Sequence, residues 1–234
     1  LASLPFDMDD GSYLRDSAAM SEDFFAILSP SRFQGRPVVH LIFWAGNGWW
    51  GENSARFHLM VVFFHVLASL LLAKVARNTG ADLGTAFTAG LLFLVNVAHF
   101  RAVYWIAAMA YPVALALSLG FVLCYLRFLG EQKPGWLVGA YLSLAMAVLA
   151  HPAGSAVWLF CLFLAWQRSL LRPALRHLVP LGALLAAVVL GMVYFYPDSP
   201  PIQVAVRTPG FLDLVHQFLW FWSRLLTTAH WLPL

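Results

Sequence analysis

From residue 55 onward the chain alternates between long apolar runs and short polar interruptions. A helix needs about 20 apolar residues to cross the hydrocarbon core of a bilayer. The runs predict helical spans at roughly 55–75, 84–100, 105–127, 135–150, 153–170, 178–196 and 211–230. His151-Pro152 separates the fourth from the fifth. Proline disfavours helix at the residue before it, and about 36 residues is too long for one crossing. The expected fold is therefore all-α: a polytopic transmembrane bundle of about six to seven spans, forming one membrane domain over 55–234.

Residues 1–54 break this rhythm. They carry seven of the eleven acidic residues: Asp7, Asp9, Asp10, Asp16, Glu22, Asp23 and Glu52. One apolar stretch among them, Val38 to Trp50, is too short to span and is interrupted by Gly46 and Gly48. Its Trp44, Trp49 and Trp50 suit a helix lying at the membrane surface, where indole rings favour the headgroup level. This segment reads as an extracytoplasmic acidic loop with an interfacial helix. The leading Leu1-Ala2-Ser3-Leu4 reads as the end of a preceding span, and the apolar end at Leu234 as a truncation.

Composition agrees with a membrane protein. The chain is 61% hydrophobic and 11% charged, with a mean hydropathy of +0.75. Soluble domains run about 25% charged, and that much charge is needed to cover a wetted surface. The net charge of +3 is concentrated in alternate loops that hold Lys74, Arg77, Arg127, Lys133, Arg168, Arg172 and Arg176. The positive-inside rule puts these loops in the cytoplasm and the acidic segment outside. The alanine- and leucine-rich spans suit a bacterial inner membrane, with the acidic loop periplasmic. Basic loops of this kind report topology, so nucleic acid is not an expected partner. Cys124 and Cys161 both fall in apolar runs and read as packing residues. The sequence has no phosphate-binding glycine motif. Paired glycine- or proline-broken spans in two related halves, which would mark a transporter, are also missing.

Four features carry candidate chemistry. Asp7, Asp9 and Asp10 place three carboxylates within four residues. Carboxylates this close suit a general base or a divalent-metal site, and equally an ordinary solvated acidic loop. Arg36-Pro37 opens the short helix, where Arg36 can hold a phosphate or anchor the helix at the surface. Among the eight histidines, His40, His58, His99, His151, His216 and His230 fall toward the outer face, which makes His58 and His151 accessory candidates. Asn96 to Trp105 forms an outer turn carrying His99 and Arg101. Arg101 there can pair with the acidic cluster or snorkel at the interface.

Taken in order, Asp9-Asp10, Arg36-Pro37, Arg56-Phe57-His58-Leu59 with His65, and His99 to Ile106 resemble the GT-C membrane glycosyltransferases. The likeness is to bacterial relatives of protein O-mannosyltransferases and to TMTC-type mannosyltransferases, and it covers roughly residues 6–160. The resemblance implies a polyprenyl-phosphate-linked sugar as donor and transfer on the outer face. It implies Asp9 or Asp10 as the base that activates the acceptor, and Arg36, His99 and Arg101 as contacts to the donor phosphate. The chain departs from that pattern at Arg101, where those relatives carry Glu, and at Ala108-Met109 and His151-Pro152. These departures, with ten Trp and nineteen Phe, support a second reading: a non-catalytic GT-C-like subunit packed against protein partners in a larger membrane complex.

The topology is directly measurable. With the native cysteines replaced, Thr79→Cys and Gln167→Cys are expected to resist a membrane-impermeant thiol reagent in intact cells, whereas Glu52→Cys reacts. Labelling of all three to the same extent would overturn the orientation.

Overall fold

A computed structural model describes residue 6, residues 8–28 and residues 36–195. All regular structure among them is helical. The helices are α1 (Met8–Glu22), α2 (Pro37–Trp50), α3 (Ser54–Asn78), α4 (Leu83–Val95), α5 (Phe100–Tyr104), α6 (Ala110–Glu131), α7 (Pro134–Ala150), α8 (Val157–Gln167) and α9 (Leu171–Phe195). Short 3-10 turns lead into α5, α6 and α8. The expected 211–230 span and the leading residues 1–5 lie outside the described residues.

Three of these elements are long and apolar enough to cross a membrane: Ser54–Asn78, Ile106–Glu131 and Leu171–Val188. At 1.5 Å per residue, α3 is about 37 Å long, more than the roughly 30 Å hydrocarbon thickness. Leu83–Val95, Pro134–Ala150 and Pro152–Gln167 are apolar but shorter. The second expected span, 84–100, stops early at Val95. There the Asn96 side chain accepts the Ala98 N–H and turns the chain. The break at His151-Pro152 forms as expected, with His151 extended at φ −159° and ψ 133°. The last described helix begins at Leu171 rather than near 178, because Pro173 falls in its first turn, where proline is tolerated.

Two expectations about the leading segment change. The acidic stretch is a helix, α1, whose inner stripe is Asp10, Tyr13, Ser17 and Met20, all buried. The 3-4-3 spacing is helical, but two of the four residues are polar, so hydropathy does not reveal it. Gly46 and Gly48 do not break α2, which runs through both. Gly46 serves close approach instead: a Cβ there would stand 2.8 Å from the Phe57 ring.

The core has two parts. One lies at the end where α6 begins and gathers Tyr13, Val39, Phe43, Phe57, Met109 and Ala150. Tyr13 stacks on Phe43, with centroids 4.6 Å apart, and Phe43 stacks on Phe57 at 5.2 Å, so one aromatic column joins α1, α2 and α3. The other part, toward the opposite end, is built around α6 and includes Phe121, Tyr125, Leu144, Cys161 and Leu178. Cys124 and Cys161 are both free thiols. At the far end Arg168 Nη2 donates to the Asn78 carbonyl at 2.6 Å, which draws two of the basic connections together.

Helices that pack within a bilayer rely on small residues and interhelical hydrogen bonds. The α3–α4 contact shows both. Ser69 Oγ donates to the Gly90 carbonyl at 2.8 Å, and His65 Nε2 donates to the Leu94 carbonyl at 3.1 Å. A Cβ on Gly90 would come within 3.0 Å of the Ser69 carbonyl and the Ala73 Cβ. Gly90→Leu is therefore expected to push α3 and α4 apart and destabilise the protein by about 1–3 kcal/mol, read as a lower melting temperature in detergent. Gly130→Ala, where a Cβ meets nothing within 4 Å, is expected to be neutral or stabilising. A Gly90→Leu protein that melts like wild type would refute this packing.

Candidate functional site

The end of the bundle where α6 begins holds most of the sequence-identified residues. The chain enters α6 through the 3-10 turn Ile106–Met109, which runs straight into it; the residue before that turn, Trp105, is extended (φ −94°, ψ 118°) and forms no side-chain cap. The first N–H groups of a helix have no partner within it. Asp10 reaches one of them across 97 positions of sequence: its Oδ1 accepts the Ala107 N–H at 2.6 Å. The side chain is 1% exposed. A buried carboxylate is costly unless it is hydrogen-bonded. Here the Ala107 N–H at the start of a helical segment supplies that partner.

Arg36 and His151 stand at the same end. Arg36 precedes α2, and its carbonyl accepts the Val39 and His40 N–H groups at 3.1 and 3.3 Å. His151 follows Ala150, a member of the apolar cluster that also holds Ala107. Its Nδ1 accepts the Ala153 N–H at 3.1 Å, and its ring lies 4.5 Å from that of Tyr111 on α6. Burial, and secondarily the positive charge of Arg36, pull the His151 pKa down to about 4. The imidazole is therefore neutral at physiological pH, with Nδ1 committed as an acceptor.

A second cluster sits between α3 and the α4–α5 connection. The His99 ring lies 4.4 Å from Phe93 and 5.5 Å from His65. Burial, then the neighbouring His65, hold the His99 pKa below the ordinary value. His58 is buried against Tyr104, with centroids 6.5 Å apart, and neither of its ring nitrogens has a hydrogen-bond partner among the described residues. The donor-phosphate candidates are thus divided. Arg36 stands with Asp10 and His151, whereas His99 belongs to the second cluster. Arg101 lies on α5 and Asp9 on α1, but the side chains of both, and all of Asp7, fall outside the described residues.

The sequence did not point to two contributors. One is the Ala107 N–H, a backbone group that no motif marks. The other is the His40–Asp16 pair, with Nδ1 3.7 Å from Oδ2 and His40 also ringed by Tyr13 at 4.6 Å. Helical spacing of three from Tyr13 and four from Met20 would have put Asp16 beside that stripe, but only with α1 assigned as a helix. Among the described residues no three His, Cys, Asp or Glu side chains converge as a metal site. A described cavity of about 260 Å³ lies elsewhere, between α7 and α9, and none of the candidate residues lines it. No family model, characterised protein or solved structure matches the chain.

The Asp10 contact predicts an asymmetry between two substitutions. Asp10→Ala removes the acceptor and leaves the Ala107 N–H buried and unpaired, at a cost of about 1–3 kcal/mol. Asp10→Asn keeps an acceptor oxygen and is expected to lose clearly less. Equal melting temperatures for the two variants would show that Asp10 does not cap α6.

Proposed function

We propose that this chain is a membrane glycosyltransferase of GT-C type that transfers a sugar from a polyprenyl-phosphate-linked donor to an acceptor on the extracytoplasmic face. The observation that carries the reading is that Asp10, Arg36 and His151 share one end of the bundle, opposite the end where the Arg168–Asn78 contact joins two basic connections. In this reading the bundle has six or seven spans in a bacterial inner membrane, and α1 and α2 lie on the periplasmic side. The bilayer delivers the donor's prenyl chain.

The chemistry divides among few groups. Asp9 or Asp10 takes the acceptor hydroxyl proton as the oxygen attacks the sugar carbon. The leaving group is a phosphate, so a cation beside it stabilises the charge that grows as the bond breaks. Arg36 is suited to this role, with Arg101 and His99 as further contacts. Buried His58 and half-buried, neutral His151 serve as hydrogen-bonding groups around the donor. A divalent metal, if used, would be held by the carboxylates of the 7–10 segment.

The fully buried, backbone-bonded carboxylate of Asp10 favours a second reading, in which it is a structural cap and the chain is a non-catalytic subunit with protein partners. The two readings separate in one assay. In membranes supplied with a polyprenyl-phosphate sugar, Asp10→Asn or Asp9→Asn is expected to cut transfer by roughly 10²-fold or more, the usual contribution of a general base, while the protein stays folded. Full activity in both variants would remove the base role. Absence of transfer by the wild-type protein, together with its co-purification in a stable complex, would establish the subunit reading.

A further inference from the structure

Pro180 sits inside α9. It lacks an N–H, so the carbonyl one turn earlier, that of Arg176, loses its helical partner. The next two carbonyls are taken by neighbouring helices: Tyr141 Oη donates to His177 O at 3.0 Å, and Trp158 Nε1 donates to Leu178 O at 2.7 Å. A tight contact between α8 and α9 backs this up, since a Cβ on Gly182 would fall 2.5 Å from the Trp158 ring. α9 is thereby tied to α7 at His177 and to α8 at Leu178. Past the Tyr141 contact a groove of about 260 Å³ opens between α9 and α7, lined by Tyr141, Leu144, Val148, Pro180, Leu184 and Val188 among others.

The lining is hydrocarbon apart from Tyr141, and the Tyr141 hydroxyl is already committed to His177. The groove therefore suits an apolar chain and offers nothing to a polar head. The head has a place just beyond it. Arg176 stands one helical turn before Pro180 and two before Leu184 on the same i, i+4 row, about 6 Å along the axis from the groove. Arg172 is one further turn back. Both are exposed, and neither has a carboxylate partner among the described residues. The acidic groups in the nearby connections are engaged: Glu131 with Lys133 Nζ at 2.8 Å and with Trp136, and Asp82 as the cap of α4.

We propose that this groove seats an acyl chain of an anionic phospholipid whose phosphate rests on Arg176 and Arg172. Basic groups at the end of an intramembrane cleft are the arrangement that anionic lipid headgroups recognise. The bound lipid fills the space that the proline-interrupted helix leaves open beyond the Tyr141–His177 contact.

The test uses the full chain, purified from nanodiscs of phosphatidylglycerol or phosphatidylcholine, with retained lipid counted by native mass spectrometry. Wild type is expected to retain phosphatidylglycerol in preference to phosphatidylcholine. Arg176→Gln and Arg172→Gln should each reduce that preference roughly fivefold. Ala145→Phe places a ring in the groove from an exposed position and should release the lipid whatever its head. Leu184→Phe gives the same reading should Ala145→Phe fail to fold. Equal retention of the two lipids by wild type, or lipid retention unchanged by the groove variants, would overturn the proposal. A dimer that Ala145→Phe splits would assign the groove to a second copy. Retention of a polyprenyl phosphate that is lost in Ala145→Phe but indifferent to both arginines would assign it to a prenyl chain. Either result also overturns the proposal.

Discussion

A buried helical N–H or carbonyl must find its partner inside the protein, and one contact in this chain shows how narrow that requirement is. The central element, Ile106–Glu131, is the most deeply buried of the three long apolar helices. Its entry residue Trp105 supplies no cap. The Asp10 carboxylate, delivered by a helix nearly one hundred residues earlier, meets the Ala107 N–H instead. Phe6, Tyr13, Phe43 and Phe57 then pack around the point where it enters. The leading segment is therefore part of the bundle: its polar stripe completes a helix that cannot complete itself.

Most of the other described hydrogen bonds between helices run the opposite way. Ser69, His65, Ser143, Tyr125, Tyr141, Trp158 and Arg168 all donate to backbone carbonyls of another helix. A helical carbonyl has a second lone pair and can accept once more without giving up its own ladder bond. A mid-helix N–H has no such spare capacity. Side-chain donors can therefore join helices anywhere along their length, whereas a side-chain acceptor is useful to the backbone only at a helix start. Asp10 sits at that one kind of place, and this is why a carboxylate can be buried there.

This dual fitness bears on function. A carboxylate that caps a helix is held still, which suits a base that must meet a hydroxyl in one geometry. The same engagement is what a purely structural residue would show. Neutral His151 beside Arg36 adds a cation and a hydrogen-bonding ring at that end, while the His58 and His99 cluster lies against α3 and the α4–α5 turn. The groove between α7 and α9 belongs to different physics: it opens beside a proline-interrupted helix, past the point where Tyr141 ties the two together.

The sequence by itself determined the helical class and marked the three helices that are long and apolar enough to cross a membrane, because a run of some 20 residues with little charge satisfies its backbone most readily as a helix. It also determined the break at His151-Pro152, which is local sterics, and the two free cysteines, which lie in apolar runs. It placed Asp10, Arg36 and His151 among the candidates by residue type alone. Tertiary structure decided the rest. α1 was hidden because its inner stripe mixes Asp and Ser with Tyr and Met, so only contact with α2 and α6 makes it a buried face. Gly46 looked like a breaker until Phe57 packed against it. Asn96 shortened the second span through a side-chain cap that hydropathy does not register. The partner of Asp10 is a backbone N–H, identical in every residue but proline, and only the meeting of two distant helix ends could single it out.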